Sequence, residues 1–224
     1  MKKNVWSMVL ALALVLSLLP VSVLAAESDT AYDIWVDSAA QYHDLVAGEW
    51  YHESVNFVLE KGLMNGVGNG KFDPTGTTSR AMLVTILWRE AGCPVVNYLL
   101  PFEDVPAESW YTEAVRWAAS EGIITGYDGL FDSEGAITRE QMVTMLYRYA
   151  RKTQENVPEY PEDSQVLSLV FKDSDSVSTY ANAAMQWAYH AGVIGNEGVG
   201  NGCLAPRQEM IRAEVAQMLM NYLK

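Results

Sequence analysis

An all-α fold of three helix–loop–helix repeats, packed as a pseudo-threefold helical bundle, is what this chain predicts. Three observations carry the expectation. A motif occurs three times, beginning at His43, Phe102 and Phe171, and repetition with a fixed internal layout marks a multi-unit array. In every copy an aromatic residue precedes a glycine by twelve positions: Trp50 and Gly62, Trp110 and Gly122, Tyr180 and Gly192. In every copy an apolar residue precedes an arginine by eight: Phe72 and Arg80, Phe131 and Arg139, Leu204 and Arg212.

Taken in chain order, Lys2 and Lys3 precede the apolar core MVLALALVLSLL, and Val23-Leu24-Ala25 offers a cleavage site. Residues 1–25 therefore read as a signal peptide, since the core is short for a bilayer span of about 20 residues. No membrane span is expected after cleavage. The mature chain then carries a short extension (26–42), copy 1 (43–92), copy 2 (102–151), a linker (152–170) and copy 3 (171–224).

Each copy opens with a helix. A second aromatic stands seven residues after the first, at Phe57, Trp117 and Trp187, a spacing that places both on one helix face. Gly62, Gly122 and Gly192 fall where a helix ends in a left-handed residue. A turn-rich loop follows. The recurring arginine then starts a second helix, with apolar residues at helical spacing: Leu83, Ile86, Leu87; Met142, Met145, Leu146; Val215, Met218, Leu219. Ser79 and Thr138 are suited to cap it, whereas Ile211 is not. A copy of about 50 residues is marginal alone, so the copies should pack together. The more apolar second helices are expected to meet at the centre. The connector CPVVNYLLP is apolar and should pack. The longer linker should wrap the outside and return to the core at Val166, Leu167 and Leu169.

The formal net charge is −13, and loss of the leader removes Lys2 and Lys3 but no acid, giving −15. Such a chain lacks the basic footprint that nucleic acid requires, and it would repel anionic polymers at long range. An anionic ligand must instead be gripped locally. Arg80, Arg139 and Arg212 suit that task, because a guanidinium holds a carboxylate through two hydrogen bonds and a helix start offers free N–H groups. Trp50, Trp110 and Tyr180 are flat faces for a sugar ring, and Gly66 and Gly126 would let a ligand approach the backbone. Structural roles compete with each of these. The first aromatics could be core, and the arginines could pair with the recurring Asp44, Asp104 or Asp173. The second aromatics are expected in the core.

Other chemistry is sparse. His43, His52 and His190 have no cysteine or carboxylate at ligand spacing, and the Asp173/Asp175 stretch lacks the glycine and terminal glutamate of a calcium loop. Neither metal nor cofactor is expected. Cys93 and Cys203 could form a disulfide in an exported chain, their separation being open. No paired carboxylates or nucleophile constellation suggests an enzyme.

The layout resembles the S-layer homology domain, a wall-anchoring module usually found as three tandem copies. Its pattern runs F-x-D, a Trp opening a helix, G-I-x-x-G, D-G-x-F-x-P, then I-T-R-A-E. The middle copy matches at Phe102, Asp104, Trp110, Gly122, Ile123, Gly126, Asp128, Gly129, Phe131, Ile137, Thr138, Arg139 and Glu140. Copy 1 keeps Asp44, Trp50, Gly62, Gly66, Phe72, Pro74 and Arg80; copy 3 keeps Phe171, Asp173, Gly192, Pro206, Arg212, Ala213 and Glu214, with Tyr180 in place of Trp. The resemblance implies grooves between adjacent repeats that bind a secondary polysaccharide attached to peptidoglycan, often through a pyruvylated sugar. Asp44, Asp104 and Asp173 would join the aromatics, glycines and arginines there. It also implies a secreted protein retained at the bacterial wall or cell surface. The alternative is an exported assembly protein whose grooves bind another surface protein, with Trp50 and Trp110 as the anchoring residues. Copy 3 departs furthest from the pattern, so one or two working grooves are expected.

Overall fold

The computed structural model describes residues 37–154, 156–161, 165–196 and 198–224. The predicted leader and most of the extension lie outside them. Seven α-helices carry the described chain: α1 (His52–Glu60), α2 (Arg80–Glu90), α3 (Thr112–Ser120), α4 (Arg139–Thr153), α5 (Val166–Val170), α6 (Asn182–His190) and α7 (Arg212–Leu223). No strand occurs among the described residues, only isolated bridges. The helix-loop-helix reading holds in each copy, and α5 is one short turn in the linker.

The helix ends follow the chemistry of their residues. Gly62, Gly122 and Gly192 have φ of +68°, +69° and +73° just past the C-caps Lys61, Glu121 and Ala191 of α1, α3 and α6, a region that costs a residue with a Cβ but not glycine. Ser79 and Thr138 accept the N–H groups of Met82 and Gln141, and the Gln141 side chain returns a bond to the Thr138 N–H, a reciprocal cap. Ile211 has no polar side chain, yet Glu214 still accepts from its N–H at 3.2 Å.

The helices pair across copies. α1 packs on α7, α2 on α3, and α4 on α6, so the second helix of each copy lies against the first helix of the next, and copy 3 closes back on copy 1. Of the second helices, α2 also touches α4, and the segments ahead of all three meet. Thr78 N–H donates to the Met210 carbonyl, Met210 N–H to Ile137, and Ile137 N–H to Thr78, each at 2.9 Å. Three backbone hydrogen bonds thus form a closed ring, the physical basis of the threefold. Around it Phe72, Phe131, Leu83, Met142 and Leu146 are fully buried, and each such side chain is worth about 1.5–3 kcal/mol when removed from water.

Two expectations about connectors hold only in part. In CPVVNYLLP, Val95 and Leu99 stay exposed while Val96 and Leu100 are partly buried against the core; an extended segment presents alternate residues to opposite sides. In the linker Leu167 is buried but Leu169 is exposed, because one turn of helix can turn only part of its surface inward.

Candidate functional site

Three grooves occur among the described residues, each assembled from all three copies. Groove I takes its loop wall (Asn65, Gly66, Val67) and α2 residues from copy 1, Trp110 from copy 2 and Arg212 from copy 3. Groove II takes Gly126, Tyr127 and α4 residues from copy 2, Tyr180 from copy 3 and Arg80 from copy 1. Groove III takes Gly195, Gly198, Val199 and α7 residues from copy 3, Trp50 from copy 1 and Arg139 from copy 2. Their volumes are about 470, 580 and 340 Å³.

The first aromatics are the exposed walls. Trp50, Trp110 and Tyr180 are 56%, 59% and 52% exposed. They do not share a helix face with the second aromatics, because helices α1 and α3 begin two residues later, and Tyr180 lies in the 3₁₀ turn Thr179–Ala181. Trp117 and Trp187 are core, and Phe57 is partly buried against it. Tyr180 is fixed by its hydroxyl, which donates to Glu140 Oε1 at 3.0 Å; burial and that carboxylate push its pKa up to about 12.

The helix starts are not open to anions. The N–H groups of Arg80 and Ala81 donate to Gly135 and Ser133, those of Arg139 and Glu140 to Gln208 and Pro206, and those of Arg212 and Ala213 to Gly76 and Pro74. In each case the loop of the next copy supplies the carbonyls, so the donors expected for a ligand are consumed by inter-copy packing.

The arginine side chains cross the same boundary. Arg80 Nε donates to the Phe131 carbonyl and Arg212 Nε to the Phe72 carbonyl, both at 2.8 Å. Their guanidinium carbons lie 4.9 and 4.5 Å from the Phe131 and Phe72 ring centroids. Arg212 Nη2 also donates to Asn65 O at 2.7 Å. Burial pulls the pKa of Arg80, Arg139 and Arg212 below the ordinary arginine value, yet a guanidinium stays protonated. Among the described residues Arg80 keeps both terminal nitrogens, and Arg212 keeps Nη1, without a protein acceptor.

The recurring aspartates brace the loops from behind. Asp44 accepts from Phe72 and Asp73 N–H, Asp104 from Phe131 and Asp132, and Asp173 from Leu204 and Ala205, all at 2.7–2.8 Å. Burial opposes the charge of Asp44, but these backbone donors outweigh it and lower its pKa. None of the three forms an ion pair with a recurring arginine among the described residues. Instead one peptide links them: Phe131 receives Arg80 at its carbonyl and gives its N–H to Asp104.

Gly66 and Gly126 line grooves I and II, but their lack of a Cβ is demanded from the other side. A Cβ on Gly66 would lie 2.3 Å from the Tyr42 ring, and one on Gly126 2.4 Å from the Phe102 ring. Tyr42, one residue ahead of the boundary read at His43, thus holds the place of Phe102.

Two positions to which the sequence reading gave no binding role distinguish the grooves. Nine residues after each recurring arginine stand Arg89, Arg148 and Asn221, which donate to the carbonyls of Leu63, Ile123 and Val193. Two residues after it stand Met82, Gln141 and Glu214. The spacing from Arg80 to Arg89 repeats from Arg139 to Arg148 and was the available signal. Groove I consequently has two arginines and no acid in its lining; groove II has two arginines and Asp132. In groove III, Arg139 Nη2 pairs with Glu214 at 2.9 Å, and its Nη1 donates to Ala205 O at 2.8 Å.

The remaining polar candidates are structural. His52 lies 3.5 Å from Asp37, His190 stacks on Tyr160, and His43 contacts Asn69 O. Cys93 and Cys203 are both free thiols. No cluster of ligating residues capable of holding a metal, and no helix long and apolar enough to cross a membrane, occurs among the described residues.

A closed threefold of helix-loop-helix units, with exposed aromatics and arginines facing each other across inter-copy grooves, defines a class of tandem-repeat binding module. The S-layer homology domain signature matches residues 41–81, 101–143 and 170–216, more than half of the chain, and the chain belongs to that family. Domains of this family are cell-wall anchoring modules of S-layer proteins and surface enzymes. The chain is 29% identical over 187 residues to an endoglucanase of Bacillus sp. (strain KSM-635), covering 83% of this chain and 19% of the relative. It is 26% identical over 187 residues to an S-layer protein of Bacillus thuringiensis subsp. finitimus, covering 80% and 21%. An amylopullulanase of Thermoanaerobacterium thermosulfurigenes is 25% identical over 179 residues, covering 80% and 9%. The chain thus spans about a fifth or less of the first relatives it matches, and the enzymes among them are matched only through their S-layer homology regions.

Proposed function

We propose that this protein is a non-catalytic anchor, exported and held at the bacterial wall by an anionic secondary polysaccharide seated in its inter-repeat grooves. The observation that supports the reading is groove I. Arg212 and Arg89 line it, no acid is among its lining residues, and Trp110 stands exposed at its side. A sugar ring would lie on the indole, and a carboxylate such as that of a pyruvate ketal would take the guanidinium donors that the protein leaves unused. Groove II offers a similar set in Arg80, Arg148 and Tyr180, with Asp132 also in its lining. Because the whole chain is acidic, the attraction is local, and added salt should weaken it only modestly.

The test is sedimentation of the mature protein with protein-free sacculi, before and after acid stripping of the secondary polymer. Loss of binding on stripping is the expected outcome. Retention on stripped sacculi would point to peptidoglycan itself, and no binding to either would favour a surface protein as partner.

A further inference from the structure

Groove II is held by a device that the other two lack. In grooves I and III the wall is an indole, Trp110 or Trp50. Each packs edge-to-face on the ring of the next residue, Tyr111 or Tyr51, with centroids 5.1 and 5.5 Å apart, a contact that fixes the plane of a half-exposed ring. In copy 3 the residue after Tyr180 is Ala181, which has no ring to offer. The lining helix compensates. One residue after the arginine that opens it stand Ala81 on α2 and Ala213 on α7, but Glu140 on α4; the capping position two after the arginine is filled there by Gln141. Glu140 thus takes the place of an alanine in the one groove whose wall is a tyrosine. Its carboxylate is buried and reaches copy 3. Oε1 accepts from the Tyr180 hydroxyl at 3.0 Å and from Ser178 Oγ at 2.8 Å, and Oε2 accepts from Ser178 N–H at 2.9 Å. Ser178 stands where copies 1 and 2 have Gly48 and Glu108, so Glu140, Ser178 and Tyr180 form a set that belongs to groove II. Three donors offset the cost of burying a carboxylate, and a helix start favours its charge.

We infer that Glu140 is the positioning residue of groove II: by holding Ser178 and the Tyr180 hydroxyl, it fixes the ring angle that the missing aromatic contact leaves free. Glu140 is not among the residues lining the groove, so it acts on a ligand only through the ring. With its hydrogen committed to the carboxylate, the Tyr180 hydroxyl offers a ligand acceptor lone pairs but no donor, and the charged donors of the groove are Arg80 and Arg148. A wall already in place spares the ligand the entropy of ordering it. The effect on binding rests on the reading of groove II as a ligand site; the effect on the ring does not.

The experiment takes two NMR readouts from the full mature chain. Without ligand, relaxation of the ring signals at position 180 reports their order. Glu140→Ala should make the Tyr180 ring mobile, and Tyr180→Phe should leave the substituted ring equally mobile. Glu140→Gln, which keeps an oxygen for the hydroxyl, should retain most of the order. Glu140→Ala keeps the fold, because Ala81 and Ala213 fill the same position in the other copies and are fully buried there. With released wall polymer as the probe, the Arg80 Nε–H signal reports groove II and the Trp110 indole N–H reports groove I. Glu140→Ala and Tyr180→Phe should each weaken binding at Arg80 by about threefold to tenfold, the factor for one side chain ordered on binding, with Trp110 unaffected. The double variant should lose no more than Glu140→Ala alone, because both changes break one bond. Unchanged ring order in Glu140→Ala, unchanged affinity at Arg80, or additive losses in the double variant would overturn the inference. Polymer that moves neither signal in the wild type would instead count against the anchoring reading, and the ring measurement alone would then decide the role of Glu140.

Discussion

In groove I the Arg212 guanidinium gives two nitrogens to backbone carbonyls of copy 1 and keeps the third unpaired, whereas in groove III both terminal nitrogens of Arg139 are bound, one of them to a carboxylate. The backbone beneath the two is the same. Each arginine reaches the loop of the next copy, each recurring aspartate braces that loop from behind, and each exposed aromatic stands opposite. What differs lies on the helix that lines each groove, at positions two and nine after the arginine that opens it: Met82 and Arg89 on α2 in groove I, Glu214 and Asn221 on α7 in groove III. The scaffold thus uses the inward side of the arginine to bind copies together and leaves its outward side to be set by two neighbouring residues. A motif arginine is therefore evidence of the fold first, and of a ligand only when its remaining donors are unpaired.

The largest effect that would break this comparison is expected from Arg212→Ala. It deletes two buried charge-assisted bonds across the closure between copies 3 and 1, each worth about 1.5–3 kcal/mol, and it empties groove I. Urea unfolding should show a loss of about 3 kcal/mol, together with weakened retention on sacculi. Trp110→Ala separates the two roles: its exposed side chain should cost stability no more than about 0.5 kcal/mol, while polymer affinity falls about tenfold or more. Met82→Glu copies groove III chemistry into groove I. Titration with released polymer should then show roughly tenfold weaker binding there, with the unfolding midpoint nearly unchanged.

The smallest effect concerns acid. Asp44 has a lowered native pKa because backbone donors hold its charged form against the cost of burial. Its contribution is complete above the ordinary carboxylate pKa and is lost as pH falls through the lowered native value. The difference in melting temperature between the wild type and Asp44→Asn should therefore be full at neutral pH and shrink on acidification, as read by circular dichroism. A difference independent of pH would assign the loop bracing to shape rather than charge.

Much of the architecture was legible in the residues. Gly62, Gly122 and Gly192 end their helices because a left-handed residue is required there, and Ser79 and Thr138 cap theirs because a hydroxyl can reach the third N–H. Those are local constraints, written within a few residues of where they act. The pairing of α1 with α7 and of α2 with α3 was not legible, since periodicity shows which face is apolar but not which helix covers it. The same limit governed the site. Trp50 and Trp110 were readable as either core or surface until the helix start fell two residues beyond them. Arg89 and Arg148 escaped notice as ordinary charges in a helix, and Glu214 looked like motif agreement when its effect is to neutralise Arg139. The roles of Gly66 and Gly126 were assigned to the ligand side, although Tyr42 and Phe102 impose them.

The ring of hydrogen bonds joining Thr78, Met210 and Ile137 has a consequence for copy number. An open stack of repeats has two ends, and it can lose or gain a unit there provided that capping units cover the exposed faces. A ring has no ends. Each copy supplies one donor and one acceptor, and a fourth copy would find every position taken, while a lost one would leave a gap that the other two cannot bridge. The geometry therefore counts to three, and variation is left to the chemistry of the individual grooves.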